Sequence, residues 1–272
     1  MANSFDVIII GGGIAGVSAA LSCINRGKKV GLVANPYETS NLYKAEKVSN
    51  YPGLMEISGP DFARLLHKQL EESELELIRG RALSVLPFGE SFGVAVGTEY
   101  YDAAAVILAP GITREKLYPG EAEFLGRGVS YCATCDGMLY RGKRAALIGS
   151  GEEAEHDADF LRGICSELIH FKDGGKYEIH GGERVESLEY RGESYPVEAV
   201  FIIKDTVSVS QMVPGLEYVK GGIAVGRDMS TSVPGVFAAG DCTGKPYQLA
   251  KAAGEGNIAA LSACEYIDRK KA

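Results

Sequence analysis

The sequence predicts an α/β protein with two Rossmann-like domains, the second one reduced in size. Three observations predict it. A strand, a glycine turn and a helix open the chain around residue 11, and the same succession returns around residue 149. Late in the chain an apolar run leads into Gly240-Asp241, a carboxylate at the end of a buried strand. After the second strand of the later unit the polar, glycine-rich stretch 172–182 has no helical period.

Each element follows from its local pattern. The β-branched run 7–10 reads as a buried parallel strand. Residues 14–26 read as a helix ended by Gly27, and 30–33 as the second strand of a βαβ unit. Phe62, Leu65, Leu66 and Leu70 recur at helical spacing and predict an amphipathic helix over 59–72. Strands are expected at 75–86, 92–96 and 103–108, followed by a glycine- and charge-rich linker over 111–128. The second unit is expected as a strand at 144–148, a turn at Gly149-Ser150-Gly151, a helix at 154–161 and a strand at 168–171. Stretch 172–182 is barely long enough for a further βαβ crossover, which needs at least about 10–12 residues including its helix, and its several glycines make it read as a loop or hairpin. Strands at 184–190, 197–203 and 236–239 and a long helix over 249–267 complete the reading. The expected organisation is a discontinuous first domain, 1–112 with 212–272, and a second domain over 113–211.

Composition narrows the function. The 272 residues carry a net charge of −8 with no obvious basic patch, which argues against a nucleic-acid partner. Residues 7–24 lack charge, but Gly11, Gly12, Gly13 and Gly16 and the preceding Asp6 suit a strand, turn and helix better than a membrane span or signal peptide. The expectation is a cytoplasmic protein with no membrane partner. Of six cysteines only Cys132 and Cys135 are paired in sequence, so no secreted disulfide framework is present. Cys23, Cys165, Cys242 and Cys264 sit singly in apolar runs and read as small buried hydrophobes.

Three motifs carry chemistry. Gly11-Gly12-Gly13-Ile14-Ala15-Gly16 is a G-x-G-x-x-G at a strand-to-helix turn. Gly11 permits the tight turn, Gly13 lets a pyrophosphate approach the backbone, and Gly16 lets the helix pack close. The helix N-terminus supplies N–H donors and a positive dipole. The acid that usually holds the ribose hydroxyls about 20 residues on is absent, and the second strand ends at Asn35 instead. Cys132-Ala133-Thr134-Cys135-Asp136 offers two thiols that can close a disulfide and exchange with a partner. The other reading is half a zinc site, but a second C-x-x-C is missing and His156 and His170 lack paired spacing, so no metal is expected. Asp136 is placed to move the proton of thiolate chemistry, or else to cap a helix or turn. The third motif runs from Val233 to Cys242, and its Asp241 can accept hydrogen bonds from a polyol chain. Gln248-Leu249 then open the last helix, whose N-terminus can stabilise a reduced flavin ring.

Together with Asn50-Tyr51-Pro52-Gly53 and the stretch from Ala253 to Leu261, these motifs resemble the low-molecular-weight flavin thioredoxin reductases over nearly the whole chain. The resemblance implies the fold of the FAD/NAD-linked reductases, an FAD domain interrupted by a domain carrying the redox cysteines, a homodimer, and thioredoxin as the partner. It implies FAD contacts from Gly11, Gly13, Ile14, Ala15, Gly16, Asn35, Asn50, Ala82, Ala109, Gly240, Asp241, Gln248 and Leu249. It makes Cys135 the thiol facing the flavin, Cys132 the thiol that attacks the substrate, and Asp136 the acid/base.

The second nucleotide motif departs from the NADPH-dependent pattern. Gly149-Ser150-Gly151-Glu152-Glu153-Ala154 keeps the G-x-G-x-x-A spacing, but its helix opens with acids where a pyrophosphate would need positive potential. The basic residues expected for a 2′-phosphate are replaced by Phe171-Lys172-Asp173-Gly174-Gly175. In this the chain is similar to the ferredoxin-dependent flavin thioredoxin reductases, which implies reduced ferredoxin as the electron donor. Arg127, Arg141, Lys143 and Arg144 are candidates for a basic docking surface. An NADPH-dependent enzyme with atypical contacts, and a flavin-carrying redox sensor, are the alternatives.

Overall fold

The computed structural model describes residues 4–111, 117–131, 133–172, 175–203, 209–220 and 222–271, the side chains of Cys135, Glu152, Glu153, Ser210 and Gln211 excepted. Cys132 and Asp173 thus lie outside the described residues. The chain divides into two compact units, Met1–Thr113 with Ser208–Ala272, and Arg114–Val207.

The first unit begins with β1 (Ser4–Ile10), α1 (Ile14–Ile24), β2 (Val30–Ala34), α2 (Gly59–Glu71), β3 (Glu76–Arg79), β4 (Ala82–Phe88), β5 (Ser91–Val96) and β6 (Glu99–Leu108). The second unit holds β7 (Val129–Ser130), α3 (Ala133–Asp136), β8 (Arg144–Ile148), α4 (Glu152–Ile164), β9 (Glu167–Phe171), β10 (Tyr177–Gly181), β11 (Val185–Tyr190), β12 (Glu193–Pro196) and β13 (Ala199–Ile202). The chain returns to the first unit with α5 (Val209–Met212), β14 (Tyr218–Val219), β15 (Gly222–Ile223), β16 (Val236–Ala238) and α6 (Leu249–Lys271).

The large sheet of the first unit runs β3-β2-β1-β6-β5-β4, with β16 also on β6. β1 is apolar over Val7–Ile10 because it has parallel neighbours on both sides, β2 and β6, and is buried by helices above. β6 changes partner along its length. Its first half pairs antiparallel with β5, Ala103 opposite Phe92, and its last residues Val106–Leu108 pair parallel with β16. α1 and α6 pack through small residues. Ala15, Ala19, Ala20 and Cys23 of α1 and Ala252, Ala259, Ala260 and Ala263 of α6 share one buried core. A Cβ on Gly256 would lie 2.1 Å from the Ala15 carbonyl, so the two helices approach as closely as glycine allows.

Two sequence expectations are corrected here. The single strand expected over 75–86 is two strands, β3 and β4, broken at Gly80 with φ of +131°. β3 pairs parallel with β2 and β4 antiparallel with β5; Arg79-Gly80-Arg81 marks a break in the run, but nothing local tells which partner each side takes. The expected linker 111–128 is not a linker from residue 117 onward. Phe124 belongs to the core of the second unit, and Glu121 is fully buried, accepting from the Tyr118 N–H and the Tyr131 hydroxyl at 2.8 Å each. Two aromatics, Tyr118 and Phe124, among glycines and charges are too weak a pattern to reveal this.

The second unit has a parallel sheet, β7-β13-β8-β9, and a separate antiparallel sheet, β10-β11-β12. The stretch 172–182 therefore ends in the first arm of a hairpin. The sequence reading missed β12, a polar strand that closes on β11 through Arg191 and Gly192, both at positive φ, the geometry of a type I′ turn. The antiparallel sheet is held by aromatics: Tyr177 stacks on Tyr190 at 4.7 Å, and Phe171 at the end of β9 meets both edge-on. Gly175 is needed beside them, since a Cβ there would sit 2.3 Å from the Tyr190 ring.

Candidate functional site

The carboxyl ends of the parallel strands of the first unit come together, at the side of an open α/β sheet where ligands bind. The Gly11 N–H donates to the Val33 carbonyl, the Ala109 N–H to Ile10, and the Ala239 N–H to Leu108, at 2.8–2.9 Å. These bonds fix the ends of β1, β2, β6 and β16 relative to one another. Gly11, at φ +116°, lies so close to the Ala109 carbonyl that a Cβ would approach it to 2.1 Å. Gly16 is tighter still, with a Cβ 1.8 Å from the Gly11 carbonyl. Gly13 differs: a Cβ there would meet nothing within 4 Å. The space over Gly13 is open at the start of α1, whose N-terminus has no side-chain cap and no acid in its first turn. Free N–H groups, positive dipole and open space suit a diphosphate.

The other predicted cofactor residues of this unit fall as follows. Ile14 and Ala15 form the buried first turn of α1. Asn35 is exposed just beyond β2. Asn50 and Gln248, 198 residues apart, meet directly, the Asn50 amide donating to the Gln248 carbonyl oxygen at 2.9 Å. Gly240 packs on α1, where a Cβ would lie 2.9 Å from that of Ala15. Asp241 follows it, and burial pushes its carboxyl above the usual range, offset in part by Lys251. Leu249 opens α6. Ala82 starts β4, buried opposite Val96, and buried Ala109 follows the end of β6.

Sequence reasoning missed a charged pair under the Asp241 turn. The Lys251 ammonium donates to the Gly240 carbonyl at 2.9 Å, to the Gly244 carbonyl at 2.8 Å and to Thr243 Oγ1 at 2.8 Å. It also pairs with Glu255 Oε2 at 3.1 Å, which accepts the Gly240 N–H at 2.9 Å. The available signal was a lysine in the first turn of a helix, where the dipole disfavours a cation.

The redox segment lies in the second unit. Cys132 is outside the described residues, and Cys135 is described as backbone of α3 only. Around them the chain is firmly tied. β7 pairs with β13, and the Ser130 hydroxyl donates to Asp136 Oδ2 at 2.7 Å. Asp136 makes no cap bond to the following turn; its partner is Ser130. Gly137 fits against α4, where a Cβ would approach Phe160, Leu161 and Ile164 to about 3 Å. Of the single cysteines expected to be buried, Cys23 and Cys264 are, with sulfurs 3.9 Å apart. Cys165 and Cys242 are partly exposed, a correction, because each follows the end of an element rather than filling its core face. The Cys242 thiol faces the carbonyls of Leu108 and Ala239, and burial of that sulfur pushes it up to about 12.

The second glycine turn repeats the first bond for bond. The Gly149 N–H donates to Phe171 as Gly11 does to Val33, and the Ile203 N–H donates to Ile148 as Ala109 does to Ile10. The surroundings differ. Lys172 pairs with Glu155 of α4, which holds that carboxyl below its usual range, and His170 Nε2 lies 3.0 Å from the Gly149 carbonyl. Of the basic candidates, Arg144 pairs with Glu167 and Lys143 with Glu198, while Arg127 reaches carbonyls of Glu123 and Glu183.

A glycine turn that opens an uncapped helix in a discontinuous first unit, and a C-x-x-C in the second unit, suit a flavin-dependent disulfide oxidoreductase. The chain belongs to the pyridine nucleotide-disulphide oxidoreductase family, whose pattern it matches over residues 5–174 and 175–256. It is 31% identical to a thioredoxin reductase of Treponema pallidum over 98% of this chain and 99% of that one. It is also 31% identical to an alkyl hydroperoxide reductase chain of Pseudomonas putida over 99% of its own length, but spans only 59% of that longer protein. Among solved structures it is similar to a ferredoxin-flavin thioredoxin reductase from Clostridium acetobutylicum, with a TM-score of 0.87 and 35% identity over 98% of this chain and 99% of that one. It is a thioredoxin reductase-type flavoprotein with FAD as its cofactor. The open Gly13 cradle and uncapped α1 fit that group.

Proposed function

We propose that the protein is a thioredoxin-disulfide reductase whose electron donor is reduced ferredoxin rather than NADPH. The observation that carries the donor assignment is the second unit. Its first glycine turn is preserved, but α4 opens Glu152-Glu153-Ala154-Glu155, and Glu155 is held by Lys172 across the end of β9. A carboxylate and its internal counter-ion stand where a pyrophosphate would need positive potential. β9 leads on to β10 with no helix between them among the described residues, so no further crossover helix completes a nucleotide domain there. The similarity to the Clostridium protein supports the same reading.

In this reading Gly11, Gly13, Ile14, Ala15, Gly16 and Ala109 hold the diphosphate region, and Asn35, Asn50, Ala82, Gly240, Asp241, Gln248 and Leu249 contribute the remaining cofactor contacts. FAD, when bound, passes electrons between a one-electron carrier and a two-electron dithiol. Two electrons and two protons convert the Cys132–Cys135 disulfide to the dithiol. The Cys132 thiolate then attacks the thioredoxin disulfide, releasing one thioredoxin thiolate, and Cys135 resolves the mixed disulfide, releasing the second. Asp136, held by Ser130, supplies and takes the protons. The domain assignment follows: residues 1–112 with 212–272 bind FAD, and 113–211 carry the cysteines. A cytoplasmic homodimer completes the proposal; no described helix is long and apolar enough to cross a membrane.

Anaerobic reduction of the bound flavin tests the donor. Ferredoxin with a reducing system should bleach the visible band, whereas NADPH and NADH at about 100 μM should leave it unchanged. Bleaching by NADPH at micromolar concentration overturns the ferredoxin assignment.

A further inference from the structure

Lys251 and Glu255 form a half-buried ion pair that no part of the reaction described above uses, with side chains only 18% and 17% exposed. Ordinary helix stabilisation does not explain it. Lysine four residues before glutamate is the less favourable order, and a cation in the first turn opposes the helix dipole. The pair instead saturates one turn. Lys251 holds the two carbonyls that bracket Asp241, Gly240 and Gly244, and Glu255 holds the Gly240 N–H. The Thr243 hydroxyl accepts from Lys251 and lies within donating reach of Glu255 Oε2 and the Gly240 carbonyl. Gly240 and Gly244 are at φ +86° and +106°, conformations with many alternatives for glycine, so the turn has little intrinsic preference for this shape. Every other polar group of 240–244 that the pair touches is backbone or Thr243; neither charge bonds the Asp241 carboxylate, which is left available to a ligand.

We propose that Lys251 and Glu255 are positioning residues for FAD binding: they clamp the 240–244 turn against α1 so that the Asp241 carboxylate is presented in its binding orientation. The inference rests on Asp241 being an FAD contact. The clamp acts from behind the turn, and its loss lets the two glycines relax and the carboxylate wander.

The test is a double-mutant cycle on full-length holoenzyme, read as the FAD dissociation constant from release of fluorescent flavin on dilution. Lys251→Met should weaken FAD binding about 10- to 100-fold, the range for losing several bonds to a charged group. Lys251→Arg, which keeps charge and donors, should recover most of the loss. Asp241→Asn should also weaken binding, and the double variant should lose far less than the sum of the two single losses, because the clamp acts chiefly through that carboxylate. A merely structural role predicts additive losses, and additivity overturns the proposal, as does wild-type affinity in Lys251→Met. If Asp241→Asn itself binds FAD as the wild type does, the Asp241 contact is wrong and the inference falls with it. Should Lys251→Met fail to fold, Glu255→Gln replaces it in the cycle with the same non-additivity expected.

Discussion

At the scale of single residues, the proposed cofactor contact Asp241 is held at a cost to the fold. Burial raises its carboxyl above the ordinary carboxylate value. The sign follows directly: a raised folded value means stability that is fully present below the unfolded value, near pH 4, and is lost as pH rises through the folded one. At neutral pH the ionised Asp241 therefore destabilises the FAD-free protein. Asp241→Asn should raise the melting temperature of the apoprotein at pH 7–8, by no more than about 2 °C given solvent screening, and the gain should vanish near pH 4. An apoprotein destabilised at pH 7 by this substitution contradicts the assignment. The contact proposed for Asp241 and the fold would pull in opposite directions here, as functional sites often do.

At the scale of elements, the two glycine turns share a backbone and differ in what their helices admit. Gly16 in the first turn of α1 has no room for a Cβ, while the equivalent Ala154 in α4 is accommodated. Gly13 has room. Gly16→Ala should break the turn, giving insoluble protein or a loss of about 3 kcal/mol or more by denaturant unfolding. Gly13→Ala should fold with near-wild-type stability in the absence of FAD but weaken FAD about tenfold or more, since its methyl group enters the open space. Equal effects of both substitutions on apoprotein stability would argue that the space over Gly13 is not a ligand cradle. Most element positions were legible locally: β8 matches its expected bounds, and β1, α1, α2 and β16 differ by a few residues at their ends. The split between β3 and β4 and the polar strand β12 were not, because pairing partners are chosen by the whole sheet.

At the scale of the molecule, the C-x-x-C and the glycine turn proposed to bind FAD belong to different units of the chain. Cofactor binding and turnover should therefore separate. Cys135→Ser should retain stoichiometric FAD and its visible spectrum while thioredoxin reduction falls by at least about 10³-fold. Loss of FAD in this variant would count against the division of labour. The antiparallel sheet of the second unit belongs to this scale too. Its Tyr177, Tyr190 and Phe171 cluster gives the unit a core of its own without the second half of a nucleotide domain.

The sequence by itself determined the glycine turns, the strand-helix alternation, the C-x-x-C and the acidic start of α4, because each is written in residues within one turn or one strand. Tertiary structure alone decided what those residues meet. It brought Asn50 to Gln248 and Cys23 to Cys264, and it set Lys251 and Glu255 beneath the Asp241 turn. These contacts depend on how closely α6 can approach α1 and β16, which is a property of packed volumes and shared hydrogen bonds and leaves no period in the chain.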